Sequence, residues 1–169
     1  REAFWKGTLP TSLPLQLRKL GYESNYWYGG SLSNGNFSHF APACGFNHSY
    51  SAIDICTPDA PRSWVGVYDH VFLQRAAEII QEDKEPLQFH FIYTTSNHGP
   101  YKMPLKQLGF DAKKIMKVQD DVLQEKIIPK VLGSYWYSDH AINQFIQDMK
   151  KQYPDSLFIV TGDHGAQCS

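Results

Sequence analysis

The sequence predicts an α/β domain with a mainly parallel sheet flanked by helices, and three observations support this. Short apolar or aromatic runs alternate with stretches of helical periodicity, the pattern of successive β–α–β units. Each of the three best strand candidates runs directly into a polar motif containing glycine. No internal repeat, low-complexity tract or linker interrupts the 169 residues, which are enough for one domain with a real core.

The elements follow in order. Leucines at 13, 15, 17 and 20 predict a helix that ends at Gly21, with the glycine as C-terminal cap. Tyr22 to Tyr28 is aromatic-rich and leads into Gly29-Gly30, a strand closing in a tight loop. Asp69 is placed to cap a helix whose apolar face carries Phe72, Ala76, Ile79 and Ile80. Leu87 to Thr95 holds Phe89, Phe91, Ile92 and Tyr93 with two threonines, the composition of a strand buried on both faces. Lys102 to Pro129 is mixed and charged, a loop with a short helix. Ser134 to Lys151 is a stronger helix with Ala141, Ile142, Phe145 and Met149 in one stripe and Pro154 just beyond it. Leu157 to Thr161 reads as the third strand.

Composition narrows the function. An aromatic content of 14%, a charged content of 20% and a formal charge of −1 exclude a disordered chain. They also give no general electrostatic reason to bind nucleic acid or an anionic membrane surface. No run of about eighteen apolar residues is present to span a bilayer. Cys44, Cys56 and Cys168 form no C-x-x-C pair, which argues against a zinc ribbon or a thioredoxin-like site. A Cys44–Cys56 bridge stays open as the less favoured reading. There is no G-x-S-x-G elbow, Walker loop, H-E-x-x-H or G-x-G-x-x-G fingerprint.

The three strand candidates end in Tyr28-Gly29-Gly30, in Ser96-Asn97-His98-Gly99-Pro100 and in Gly162-Asp163-His164-Gly165. Ligands of open α/β sheets bind beyond the carboxyl ends of the strands. If the three strands are parallel neighbours, all three motifs meet on one rim. Asp163 and His164 pair a carboxylate with an imidazole, a donor set suited to a divalent ion, and the flanking glycines let the backbone turn sharply. The competing reading of D-H-G is an Asx turn with an incidental histidine. His98 is chemically able to contact a sulfate or phosphate oxygen or to deliver a proton. Taken alone, it reads more readily as a solvated loop histidine or one bonded to a nearby carbonyl. Gly29 and Gly30 are read as a plain turn, Asp69 as a helix cap and Asp139 as a partner of its helix macrodipole. Trp5, Trp27, Trp64 and Trp136 are read as core or interface residues.

Taken in order, these residues resemble the sulfatase and lipoteichoic acid synthase branch of the alkaline phosphatase superfamily. The likeness runs through Leu17-Arg18-Lys19-Leu20-Gly21-Tyr22, Tyr28-Gly29-Gly30 and Gly66-Val67-Tyr68-Asp69. It continues through Thr95-Ser96-Asn97-His98-Gly99-Pro100-Tyr101, Tyr137-Ser138-Asp139 and Thr161-Gly162-Asp163-His164-Gly165. The resemblance implies an alkaline-phosphatase-like fold and an enzyme acting on sulfate or phosphate esters through an esterified nucleophile. It implies Asp163 and His164 as ligands of a divalent metal (Mn, Ca, Mg or Zn) and His98 as a catalytic contact to the transferred group. Substrates would be sulfate or phosphate esters, lipid- or glycan-linked, handled outside the cytoplasm by a membrane-anchored parent protein. On this reading residues 1–169 are a partial catalytic domain, inactive alone. The nucleophile segment would lie upstream and further strands downstream. Two departures stand out. Val65 occupies a position where the family has tryptophan, and no arginine falls in Asn36 to His39 where lipoteichoic acid synthases carry one. The alternatives are phosphoethanolamine transfer and a non-catalytic, degenerate α/β binding domain.

Overall fold

The computed structural model describes Gly7, residues 9–115 and residues 128–164. Trp5, Thr8, Gly165 and Cys168 fall outside the described residues.

The chain forms a three-stranded, wholly parallel sheet in the order β2-β1-β3. Helix α1 (Leu13–Lys19) leads into β1 (Glu23–Tyr28), with Gly21 at φ +87° closing the helix as the sequence predicts. Helix α2 (Phe37–Ala43) then crosses to β2 (His48–Ser51), a strand the sequence reading did not foresee. A single turn, α3 (Ala52–Ile55), and the long helix α4 (Asp69–Glu82) return the chain to β3 (Gln88–Tyr93). Two further helices follow, the one-turn α5 (Ala112–Ile115) and α6 (Ile128–Gln152). Helix α6 begins six residues earlier than the Ser134 start expected from the pattern. Pro129 sits in its first turn, where a missing N–H costs no intrahelical bond.

β1 is the centre of the domain, and its alternation builds two layers. Trp27 faces the helical layer, packing with Phe72, Leu73, Ala76 and Ile80 of α4 and with Ala141 and Met149 of α6. Its ring stacks on Tyr50 of β2, with centroids 4.1 Å apart. Tyr26 and Tyr28 point the other way, into an aromatic cluster with Phe37, Phe40 and Phe46. The apolar faces read from the sequence for α4 and α6 are therefore the faces that bury.

Three expectations are corrected and a fourth is narrowed. Leu157 to Thr161 forms no strand. It carries no regular secondary structure, its Leu157, Ile159 and Val160 are exposed, and Phe158 alone of these residues packs onto the helical core. β3 is only half-buried, with Phe91 exposed, because only β1 pairs with it among the described residues. Asp139 lies well inside α6 rather than near its start, too far from the helix end for the macrodipole to act. Of the tryptophans read as core or interface residues, Trp27 is fully buried, whereas Trp64 is 71% exposed, which removes the core alternative for it. Cys44 and Cys56 are both free thiols, as the favoured reading had it.

Candidate active site at the carboxyl rim of the sheet

The carboxyl ends of β1 and β3 are tied together by backbone. Gly29 N–H donates to the Tyr93 carbonyl (2.8 Å), and Val67 N–H donates to the Gly29 carbonyl (2.9 Å). Gly30 and Gly66 form an antiparallel bridge. The segments approach so closely that a Cβ on Gly66 would stand 2.1 Å from the Gly29 carbonyl oxygen. The glycines therefore serve backbone approach between loops, and the Gly29 amide is spent on Tyr93 rather than offered to an anion.

Asp69 departs from its expected role. Tyr68 holds the cap position, and Asp69 is the first residue of α4. Its carboxylate reaches across to the loop after β3, where Oδ1 accepts from the backbone N–H groups of Thr95 and Ser96, both at 3.1 Å. Ser96 Oγ in turn accepts from the Asp69 backbone N–H at 2.9 Å. Asp69 is fully buried, and the neighbouring Ser138 hydroxyl also interacts with its carboxyl. Burial pushes its carboxyl above the usual carboxylate range, against the pull of the Ser96 and Thr95 hydrogen bonds.

His98 stands at the far end of this loop. Its Nδ1–H donates to the Gly99 carbonyl at 2.7 Å, and that oxygen also accepts from the Trp64 indole N–H at 3.1 Å. The two rings meet edge to face with centroids 5.4 Å apart. A carbonyl on Nδ1 fixes the tautomer, leaving Nε2 for a ligand. The imidazole lines an open cleft of about 370 Å³, with Trp64, Ser96, Tyr101, Arg62 and Lys102 among its walls. Its lining residues include two cationic side chains and no carboxylate, which favours an anionic guest.

Asp163 is drawn to the same rim. The Tyr93 hydroxyl, at the last residue of β3, donates to Asp163 Oδ2 at 2.9 Å. This hydrogen bond, ahead of the nearby His164, holds the Asp163 carboxyl below its ordinary range. In return, burial first and the Asp163 contact second push the Tyr93 phenol up to about 12. The Asp163 Oδ1 accepts from the His164 backbone N–H at 2.9 Å and lies 3.7 Å from His164 Nε2. The described residues contain no group of three or more metal-ligating side chains. The pair is thus chemically suited to a divalent ion but supplies only part of a ligand set.

Asp163 and His164 are therefore brought together, and His98 rises from the same end of the sheet, five residues beyond Tyr93. Neither Asp163 nor His164 lines the His98 cleft. Sequence reasoning missed Tyr93, Trp64 and the Asp69–Ser96 pair. The hydroxyl at a strand's last residue was a usable signal for Tyr93. No sequence spacing announces a bond that joins residues 26 and 27 positions apart.

The Sulfatase family model matches residues 6–169, and the chain belongs to that family. A curated relative, lipoteichoic acid synthase 2 of Bacillus subtilis, is 24% identical over 155 residues, covering 90% of this chain and 22% of the relative. The lipoteichoic acid synthase LtaP of Listeria monocytogenes superposes with a TM-score of 0.75 at 21% identity, over 89% of this chain and 35% of that one. The C-terminal periplasmic domain of EcEptC from Escherichia coli, solved as a complex with Zn, gives a TM-score of 0.57 at 19% identity. That match covers 83% of this chain and 39% of the other. The chain thus spans about a fifth of the curated relative and about a third of the solved chains. Its parallel sheet with flanking helices is the fold of alkaline-phosphatase-superfamily domains.

Proposed function

We propose that the protein containing this chain is a metal-dependent enzyme that transfers or hydrolyses sulfate or phosphate esters. Asp163 and His164 serve as metal ligands and His98 as the catalytic contact to the transferred group. The observation that carries the reading is the hydrogen bond from Tyr93 to Asp163, which ties the Asp-His pair to the strand end that launches the His98 loop.

Asp163 and His164 would hold the ion, with Asp163 kept ionised by Tyr93 and oriented by the His164 amide. A divalent ion there supplies Lewis-acid stabilisation of charge on an ester oxygen. His98 binds the anionic group through Nε2. In its imidazolium form it donates a hydrogen bond to a developing oxyanion or a proton to the leaving oxygen. The cationic cleft beside it receives the remainder of the ester, lipid- or glycan-linked. The nucleophile and the other ligands come from segments outside these residues, and the parent protein is membrane-anchored with this domain outside the cytoplasm. Among the described residues no helix is long and apolar enough to cross a membrane.

The test is turnover of an aryl phosphodiester and an aryl sulfate by the complete protein, with His98→Ala and Asp163→Ala alongside. The expected result is metal-dependent turnover of one ester, falling about 10²- to 10⁴-fold in His98→Ala. Undiminished turnover in both variants would refute the assignment. Equal metal uptake by wild type and Asp163→Ala would favour a binding domain without catalysis.

A further inference from the structure

We propose that Asp69 is a positioning residue for His98, acting as a buried clamp on the loop that carries the imidazole. The inference rests on the functional reading for its catalytic arm but not for its structural one.

The β1–β3 pairing stops at Tyr93, yet His98 lies five residues further on. Between them, the Thr95 and Ser96 amides have left the β1–β3 ladder. Each instead donates to Asp69 Oδ1. The return bond from the Asp69 amide to Ser96 Oγ makes the link reciprocal, so the first turn of α4 and the loop hold each other in register. Helix α4 is itself anchored in the core through Phe72, Leu73, Ala76 and Ile80. The rigid part of the molecule is thereby extended to within two residues of His98. Ser96 is both a partner in the clamp and a wall of the cleft that His98 lines.

A carboxylate fully removed from water is a costly way to achieve a turn. A helix N-terminus partly offsets that cost, since the exposed amide dipoles favour negative charge there. Two N–H groups converging on one oxygen also need an acceptor placed at a fixed depth, which a hydroxyl on the shorter serine side chain cannot reach. Misplacement of a catalytic group by about 1 Å is enough to cost on the order of 10²-fold in rate. The expected signature of Asp69 loss is thus a fall in kcat with little change in KM.

The experiment combines amide hydrogen exchange with kinetics on the complete protein. In wild type, the Thr95 and Ser96 amides should exchange as slowly as those of β3, and rapid exchange at both would overturn the clamp without any variant. Asp69→Ala should speed exchange across residues 94–98 while residues 23–28 stay protected. It should also lower kcat about 30- to 100-fold with KM within about threefold. Asp69→Asn, which keeps an acceptor oxygen, should restore both readouts to within about threefold of wild type. Asp69→Ala combined with His98→Ala should be no slower than His98→Ala alone. Unchanged exchange at 94–98 in a folded Asp69→Ala protein, or multiplicative losses in the double variant, would overturn the proposal. Absence of turnover in wild type would instead refute the functional reading, leaving exchange to decide the clamp.

Discussion

β3 and the stretch from Leu157 to Thr161 are written in similar residues and end in comparable polar motifs, yet only one of them is a strand. β3 pairs with β1 over six residues and is continued by the Asp69 clamp. The later stretch makes no ladder bonds among the described residues, leaves three large aliphatic side chains in solvent and touches the core through Phe158. Composition supplies only a preference for extended backbone, whereas the ladder and the burial must come from a neighbour. His98 therefore sits on a braced loop, while Asp163 is braced chiefly by one hydroxyl from β3.

The sharpest way to break the braced side is Gly66→Ala. A Cβ there would collide with the backbone carbonyl of Gly29, and backbone cannot yield as a side chain can. A loss of at least about 3 kcal/mol in urea unfolding is expected. Next comes the core behind β1, where Phe72→Ala should cost about 3–5 kcal/mol. Ile159→Ser on the unpaired stretch should stay within about 0.5 kcal/mol, and a cost above about 2 kcal/mol would mean that it packs.

Acid probes the braced side independently. His90 of β3 accepts a hydrogen bond from the Trp27 indole through Nδ1, and burial depresses its imidazole to about 4. The unfolded chain takes up a proton near pH 6.5 that the native state refuses until about pH 4. The stability due to neutral His90 is therefore complete above pH 6.5 and is lost as the pH falls through that window, by on the order of 3 kcal/mol. His90→Asn should flatten this acid limb in unfolding measured across pH. A smaller effect than at His90 is expected at Tyr93→Phe. Stability should change by less than about 1 kcal/mol, while the Asp163 carboxyl moves up toward the ordinary range in an NMR titration.

Much of the fold was legible because its core is periodic. The stripe from Ala141 to Met149 and the face of α4 buried where the pattern placed them, and Gly21 closed α1. β2 escaped notice because His48 to Ser51 is short and polar. It is a strand through its pairing with β1 rather than through its residues. Asp163 and His164 were legible as a donor pair, and His98 as an isolated imidazole. Their supports were not, because Asp69, Tyr93 and Trp64 act through contacts spanning tens of residues. Trp64 shows the limit most plainly. Its bulk argues for burial, but its indole N–H is used at the surface to share the Gly99 carbonyl with His98.

The most direct measurement follows the His98 imidazole by NMR while the complete domain is loaded with a divalent ion and titrated with inorganic phosphate. A shared site predicts a phosphate-dependent shift at His98 that requires the ion and vanishes in Asp163→Ala. Binding of both ion and phosphate with His98 undisturbed would contradict a common site at this rim.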